Sequence, residues 1–269
     1  MSDVGTNTLL MGGSGAGKTY SLRTLISSGI QVRAVFLEPR WGSVRDLSCS
    51  DGFHIHYVNP TLQSWEALRT KAENLTRLPW DAAVKWTDPK KSSYDGYLRI
   101  LHALHNFTCR NCGEEFGDAT TWGPDVCLWF DGLAGLNQAA LQMVVGGAVT
   151  RSQPQWGAAQ EAEIQLIRQA IYGTPCHFVL ISHVEKLLDE INGNLSIMPN
   201  ALGKALGPEI PKDFDDVVMA ARLGDKFKWT TAAAGVDLKA TYLPLSDNLP
   251  PSFAPLIEKW KREGGSGNL

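Results

Sequence analysis

Thr8-Leu9-Leu10-Met11, then Gly12-Gly13-Ser14-Gly15-Ala16-Gly17-Lys18-Thr19, then Tyr20 to Ser28 follow one another without a break, and their reading decides the fold. The four apolar residues read as a short buried strand. After the glycines, Leu22, Leu25 and Ile26 fall on one face of a helix. Residues 12–19 fit G-x-x-x-x-G-K-[ST], the phosphate-binding P-loop, in the strand–loop–helix setting that this motif requires. Glycines let the backbone curl until its N–H groups converge on phosphate oxygens, and the helix N-terminus adds partial positive charge. Gly12, Gly13, Ser14, Gly15, Ala16, Gly17, Lys18, Thr19 and Tyr20 are therefore the candidate nucleotide-binding residues. Lys18 reaches the β- and γ-phosphates in this reading, and the Thr19 hydroxyl ligates Mg²⁺.

Downstream, strand-like and helix-like stretches alternate. Val32 to Leu37 and Ile55 to Val58 read as strands, the first ending at Glu38-Pro39. Ser64 caps a helix reaching about Leu78, with Trp65, Leu68, Ala72 and Leu75 as its apolar stripe. Tyr94 to Phe107 is helical by the spacing of Tyr97, Leu98, Leu101 and Leu104. Val126 to Phe130 is a continuous apolar run ending in Asp131, the pattern of a central parallel strand covered on both faces. Ala134 to Val149 and Ala158 to Tyr172 read as helices, and His177 to Ile181 as a buried strand ending at Ser182-His183. Leu188 to Pro211 is rich in Gly, Asn and Pro with weak periodicity and reads as a long loop, of a length that is usually functional or mobile. Val217 to Ala221, Phe227 to Thr231 and Leu238 to Tyr242 read as strands joined by turns, and Phe253 to Lys261 as a closing helix. The expected fold is α/β: a mostly parallel central sheet with antiparallel C-terminal strands and a small inserted segment. Residues 1–262 form one domain in this reading, with an insertion at about 79–124 and a flexible glycine-rich tail at 263–269.

A P-loop needs an acidic group at the end of a neighbouring strand to hold hydrated Mg²⁺, and Asp131 supplies it. Hydrolysis also needs a group that activates water. Gly132, not Glu, follows Asp131, so the base is sought elsewhere. In a parallel sheet the strand C-termini gather on one edge. Glu38 then becomes the candidate base, and His183 a sensor of the γ-phosphate; the alternative is an exposed strand-end acid and an exposed loop histidine. The catalytic set is Lys18, Glu38, Asp131 and His183, with Thr19 and Asp131 on the metal.

Bulk properties exclude several classes. The chain has 269 residues, 43% hydrophobic, 20% charged, net charge -3. It is neither a disordered polyampholyte nor a uniformly basic nucleic-acid binder, so any nucleic-acid site must be a local patch. No apolar run approaches a membrane span. The polar N-terminus leading directly to Thr8 lacks the form of an export signal. With five sparse cysteines, the expected compartment is the reducing cytoplasm.

Gly12 to Thr19, Phe36-Leu37-Glu38, Cys127 to Asp131 and Leu180-Ile181-Ser182-His183 occur in that order and together resemble the RecA-type ATPase core. More narrowly, Ser182 to Lys186, Leu202 to Leu206 and Phe214 to Val217 resemble phage-encoded RecA-core nucleotide-binding proteins, some of them single-strand annealing recombinases. The resemblance implies ATP and Mg²⁺ as cofactors, hydrolysis of ATP, a site completed between subunits of a homo-oligomer, and the host cytoplasm as location. It also implies single-stranded DNA as partner, with a single-strand-binding protein as a further one. Leu188 to Pro211 would contact DNA, with Lys186, Lys204 and Lys212 as phosphate contacts, although each could be ordinary solvated charge. Two other readings stay open: a nucleotide-gated binding module with little turnover, and a small-molecule kinase.

Cys109-Arg110-Asn111-Cys112-Gly113 has the C-x-x-C-G form of a zinc knuckle. His102 and His105, spaced i, i+3 on one face of the preceding helix, either complete a zinc site with Cys109 and Cys112 or lie on a solvated helix face, leaving a reduced thiol pair. Cys49 has no evident task, and Cys127 and Cys176 read as core.

Overall fold

The computed structural model describes residues 4–38, 41–58, 64–86, 94–188, 195–233 and 235–265. The apolar run before the glycines becomes β1 (Asn7–Gly12), and the helical stretch behind them is a 3-10 turn at Thr19–Leu22 continuing into the short α1 (Arg23–Ser27). β2 (Gln31–Phe36) and β3 (Phe53–Tyr57) follow. Then come α2 (Trp65–Thr76), α3 (Trp80–Ala83) and α4 (Gly96–His105). A small hairpin, β4 (Phe107–Thr108) and β5 (Glu115–Gly117), precedes β6 (Val126–Asp131). Two long helices, α5 (Leu133–Val145) and α6 (Gln153–Tyr172), lead to β7 (His177–Ser182). A second hairpin, β8 (Val184–Leu188) and β9 (Leu195–Pro199), is followed by β10 (Asp216–Leu223), β11 (Lys226–Thr230) and α7 (Ala254–Arg262).

Seven strands form one sheet in the order β11-β10-β1-β7-β6-β2-β3. Every pairing is parallel except β10 with β11, an antiparallel hairpin turning at Gly224-Asp225. The expected α/β architecture, mostly parallel with an antiparallel extension, is the one observed. Alternation along the strands explains why their sequences are apolar throughout. On β6, Leu128 and Phe130 face one core with α4, α5 and α6, whereas Cys127 and Trp129 face the other with α1 and α7. A strand covered on both faces has no position for a polar side chain until it ends. Fully burying each such aliphatic or aromatic side chain contributes roughly 1.5–3 kcal/mol.

Several sequence expectations are corrected. The stripe expected on α2 is not buried: Trp65 is 88% exposed and the helix has no buried residue, although Ser64 caps it by accepting the Ala67 N–H at 3.1 Å. On α4 the core face is Tyr97, Ile100 and Ala103, while Leu98 and Leu101 point outward. Both sets obey helical spacing, and tertiary contact chose between them. Helix α6 starts at Gln153, five residues before the expected Ala158, because Ser152 and Gln155 form a reciprocal capping box. Residues 188–211 are not one loop; β9 lies within them and pairs antiparallel with β8. Leu238 to Tyr242 is not a ladder strand. It makes one bridge, Val217 with Lys239, and is then held by the fully buried Asp216, which accepts the N–H groups of Thr241, Tyr242 and Leu243 at 2.9–3.1 Å. In the expected tail, 263–265 form a turn on α7 and 266–269 lie outside the described residues.

Glu163 on α6 carries a pH-dependent cost. It is fully buried; one carboxyl oxygen accepts the Leu202 N–H at 3.4 Å and the other has no partner among the described residues. Burial pushes its carboxyl up to about 8 from an ordinary 4.5. Between those values the folded chain keeps a proton that the unfolded chain has released, so stability is full below about 4.5 and falls as pH rises towards 8. Glu163→Gln removes this titration. Thermal unfolding at pH values spanning the window is expected to show the wild type losing on the order of 2–4 kcal/mol relative to the variant. Parallel pH profiles would contradict it.

Candidate functional site

Parallel topology brings the C-terminal ends of β1, β2, β6 and β7 to one edge. β7 lies between the P-loop strand and the strand ending in Asp131. At that edge a cleft of about 620 Å³ opens, lined by residues 14–21 together with Glu38, Asp131 and His183. Its volume falls in the range of small-molecule sites.

Local chemistry shapes the loop. Gly12, the last residue of β1, pairs with Ala220 on β10, and a Cβ there would sit 2.3 Å from the Ala220 carbonyl oxygen. Only glycine allows that approach. Gly15 and Gly17 adopt φ of 72° and 79°, the left-handed conformation that glycine takes without penalty. The N–H groups of Gly15, Gly17 and Lys18 have no acceptor among the described residues. Unpaired backbone donors at a loop–helix junction form an anion cradle, so the donor set fits phosphate oxygens.

Lys18 is buried, its ammonium donating to the carbonyls of Gly12 at 2.7 Å and Gly13 at 2.8 Å. Burial pushes its pKa below the ordinary lysine value, and the carboxylates of Asp131 and Glu38 pull it back up. The Thr19 hydroxyl donates to Asp131 Oδ2 at 2.7 Å. Burial holds the Asp131 carboxyl above the usual carboxylate range, opposed by that hydroxyl and by Lys18. A hydroxyl and a carboxylate in contact beside a phosphate cradle match the hard oxygen donors that Mg²⁺ takes.

Tyr20 lines the cleft and is exposed. Ser182, beside His183, turns its hydroxyl onto the His183 carbonyl at 2.7 Å. Phe227, on β11, carries no site motif in the sequence, yet it borders the cleft and packs over the P-loop: a Cβ at Gly17 would lie 3.0 Å from its ring. No local signal marks it, because the hairpin brings it there from more than two hundred residues away.

The lysines expected on DNA belong to three different segments. Lys186 is exposed on β8, Lys204 is exposed in the turns after β9, and Lys212 is exposed but paired with Glu209 at 2.6 Å. Residues 189–194 of the expected DNA loop lie outside the described residues.

The cysteine constellation differs from its expected form. Cys109 and Cys112 come together with Cys49 and His54, and the ligand atoms of all four lie within 4.8 Å of one another. His102 and His105 are exposed on the outer face of α4, opposite Ile100 and Ala103, and His105 pairs with Asp118 at 2.7 Å. Burial raises the Cys109 thiol, but backbone donors at Cys112, Ile55 and Asn111, with the His54 ring, outweigh it and bring it to about 6. Sequence reading missed Cys49 and His54 because they belong to elements 55–60 residues before the knuckle.

No protein-family model matches the chain, and no curated protein does. Among solved structures it is similar to the RadB recombinase, with 13% identity over 85% of this chain and 80% of that one and a TM-score of 0.38. It is also similar to the flagellar accessory protein FlaH from Methanocaldococcus jannaschii, with 9% identity over 99% of this chain and 84% of that one and a TM-score of 0.35. At those scores neither likeness assigns a role to any residue. Among the described residues no helix is long and apolar enough to cross a membrane.

Proposed function

We propose that the chain binds Mg-ATP and hydrolyses it. The observation that carries this reading is the contact of Thr19 with Asp131 beside the unpaired P-loop amides, in a cleft that Glu38 also lines. Lys18 and the loop amides would bind the β- and γ-phosphates, and Thr19 and Asp131 would hold Mg²⁺. The ion, when bound, would neutralise charge developing on phosphate oxygens. Glu38 would orient and deprotonate water, and His183 would sense the γ-phosphate. Tyr20, exposed where it lines the cleft, would border the bound nucleotide.

We extend the proposal to single-stranded DNA as partner, to a homo-oligomer, and to phage recombination or replication in a host cytoplasm. The sequence resemblance supports this extension; the charge pattern adds only exposed Lys186 and Lys204 on the segments that follow β7. Labelled single-stranded DNA mixed with the protein, with and without ATP and at low and moderate salt, tests it. ATP-dependent binding that weakens with salt is expected, since phosphate contacts release counterions. No ATP-dependent binding at low salt would remove the DNA reading and leave the nucleotide site standing. ATP binding without phosphate release would favour a nucleotide-gated module.

A further inference from the structure

We propose that Cys49, His54, Cys109 and Cys112 form a structural zinc site that pins the inserted hairpin to the edge of the central sheet. Zinc in structural sites is tetrahedral, with Zn–S near 2.3 Å and Zn–N near 2.0–2.1 Å, which sets sulfur–sulfur and sulfur–nitrogen edges of about 3.6–3.8 Å. Cys49 Sγ lies 3.7 Å from Cys109 Sγ, and Cys112 Sγ lies 3.7 Å from His54 Nδ1. Two opposite edges of the tetrahedron are thus already at zinc-binding length. A disulfide would need sulfurs near 2.05 Å.

The backbone around the four residues is built for the purpose. Cys109 to Gly113 forms a tight knuckle: the Gly113 N–H donates to the Cys109 carbonyl and the Cys109 N–H to the Glu114 carbonyl, both at 2.8 Å, with Gly113 at φ 77°. That turn joins β4 to β5 and directs two thiols to one point. Cys49 opens a one-turn 3-10 helix just before β3, and His54 is the second residue of β3. Each ligand pair therefore comes from a different part of the chain, and closing the site ties them together.

The site has a task. β3 is one of the two edge strands of the sheet, and edges present unpaired backbone groups. The hairpin covers this one: the Arg110 N–H donates to the Ile55 carbonyl at 2.7 Å, and His56 Nδ1 lies 2.9 Å from the Thr108 carbonyl oxygen. The ring of Phe116 on β5 packs 4.4 Å from His54, and Arg33 on β2 lies over the same ring. Two short strands could not hold this position by their own ladder, whereas four-ligand coordination could. The site lies towards the start of β3, away from the strand ends that line the nucleotide cleft. With four protein ligands it leaves no open position for catalysis.

Metal content of the protein, purified without chelator, tests the proposal. One zinc per chain is expected, and Co²⁺ in its place should give the strong thiolate charge-transfer and tetrahedral d–d bands of a Cys3His site. Cys112→Ser, at the exposed ligand, should lose the metal, whereas the pair His102→Ala with His105→Ala should retain it. If Cys112→Ser does not fold, the Co²⁺ spectrum of the wild type still decides. Wild-type protein that is folded, reduced and metal-free, and that gives no thiolate bands with Co²⁺, would overturn the site; so would a Cys49–Cys109 disulfide in freshly purified protein. Loss of zinc on His102→Ala with His105→Ala, with retention in Cys112→Ser, would overturn this ligand set.

Discussion

Lys18→Ala is expected to cut ATP turnover by at least about a hundredfold and to weaken Mg-ATP binding with it. The ammonium is buried and donates to the Gly12 and Gly13 carbonyls, which sets it at the mouth of the phosphate cradle. Alanine removes both the positive charge and the group that braces the loop. Lys18→Arg should not rescue, because a planar guanidinium fork cannot occupy the space of a compact ammonium between two carbonyls. Phosphate release at saturating ATP, with circular dichroism as a check on folding, measures the effect. Turnover within a few-fold of wild type would remove Lys18 from the mechanism.

Glu38→Gln is expected to separate binding from chemistry. The side chain keeps its shape and its hydrogen-bonding reach but loses basicity, so turnover should fall by about 10²–10⁴, the usual worth of a positioned general base. ATP affinity should stay within a few-fold, since Glu38 lines the cleft beside the cradle without belonging to it. Unchanged turnover would show that another group activates water. A large loss of ATP affinity would show that Glu38 acts on the metal instead.

The parts of the fold that were legible in sequence are those governed by local or single-strand rules. The apolar run ending at Asp131 announced a strand covered on both faces, and β6 has a core on each side. The Gly224-Asp225 turn announced the β10–β11 hairpin. What escaped depended on partners distant in the chain. The two competing faces of α4 have the same spacing, and only contact with the core selects Ile100 and Ala103 over Leu98 and Leu101. The residues of the strap at 238–242 suit a strand, but the buried Asp216 carboxylate holds it instead. The cysteine knuckle was visible as two thiols, but Cys49 and His54 are recruited across the sheet edge, and no local spacing encodes that. In the nucleotide site the P-loop is a contiguous motif, while Glu38, Asp131 and His183 meet it only through the parallel order of β1, β7, β6 and β2.

The central claim is that the P-loop edge of this sheet is an Mg-ATP site, and calorimetric titration of ATP into the protein tests it most directly. The account predicts saturable binding of one nucleotide per chain that tightens with Mg²⁺ and is lost in Lys18→Ala. Folded wild-type protein that takes up no ATP in the presence of Mg²⁺, or a Lys18→Ala variant that binds it equally well, would contradict it.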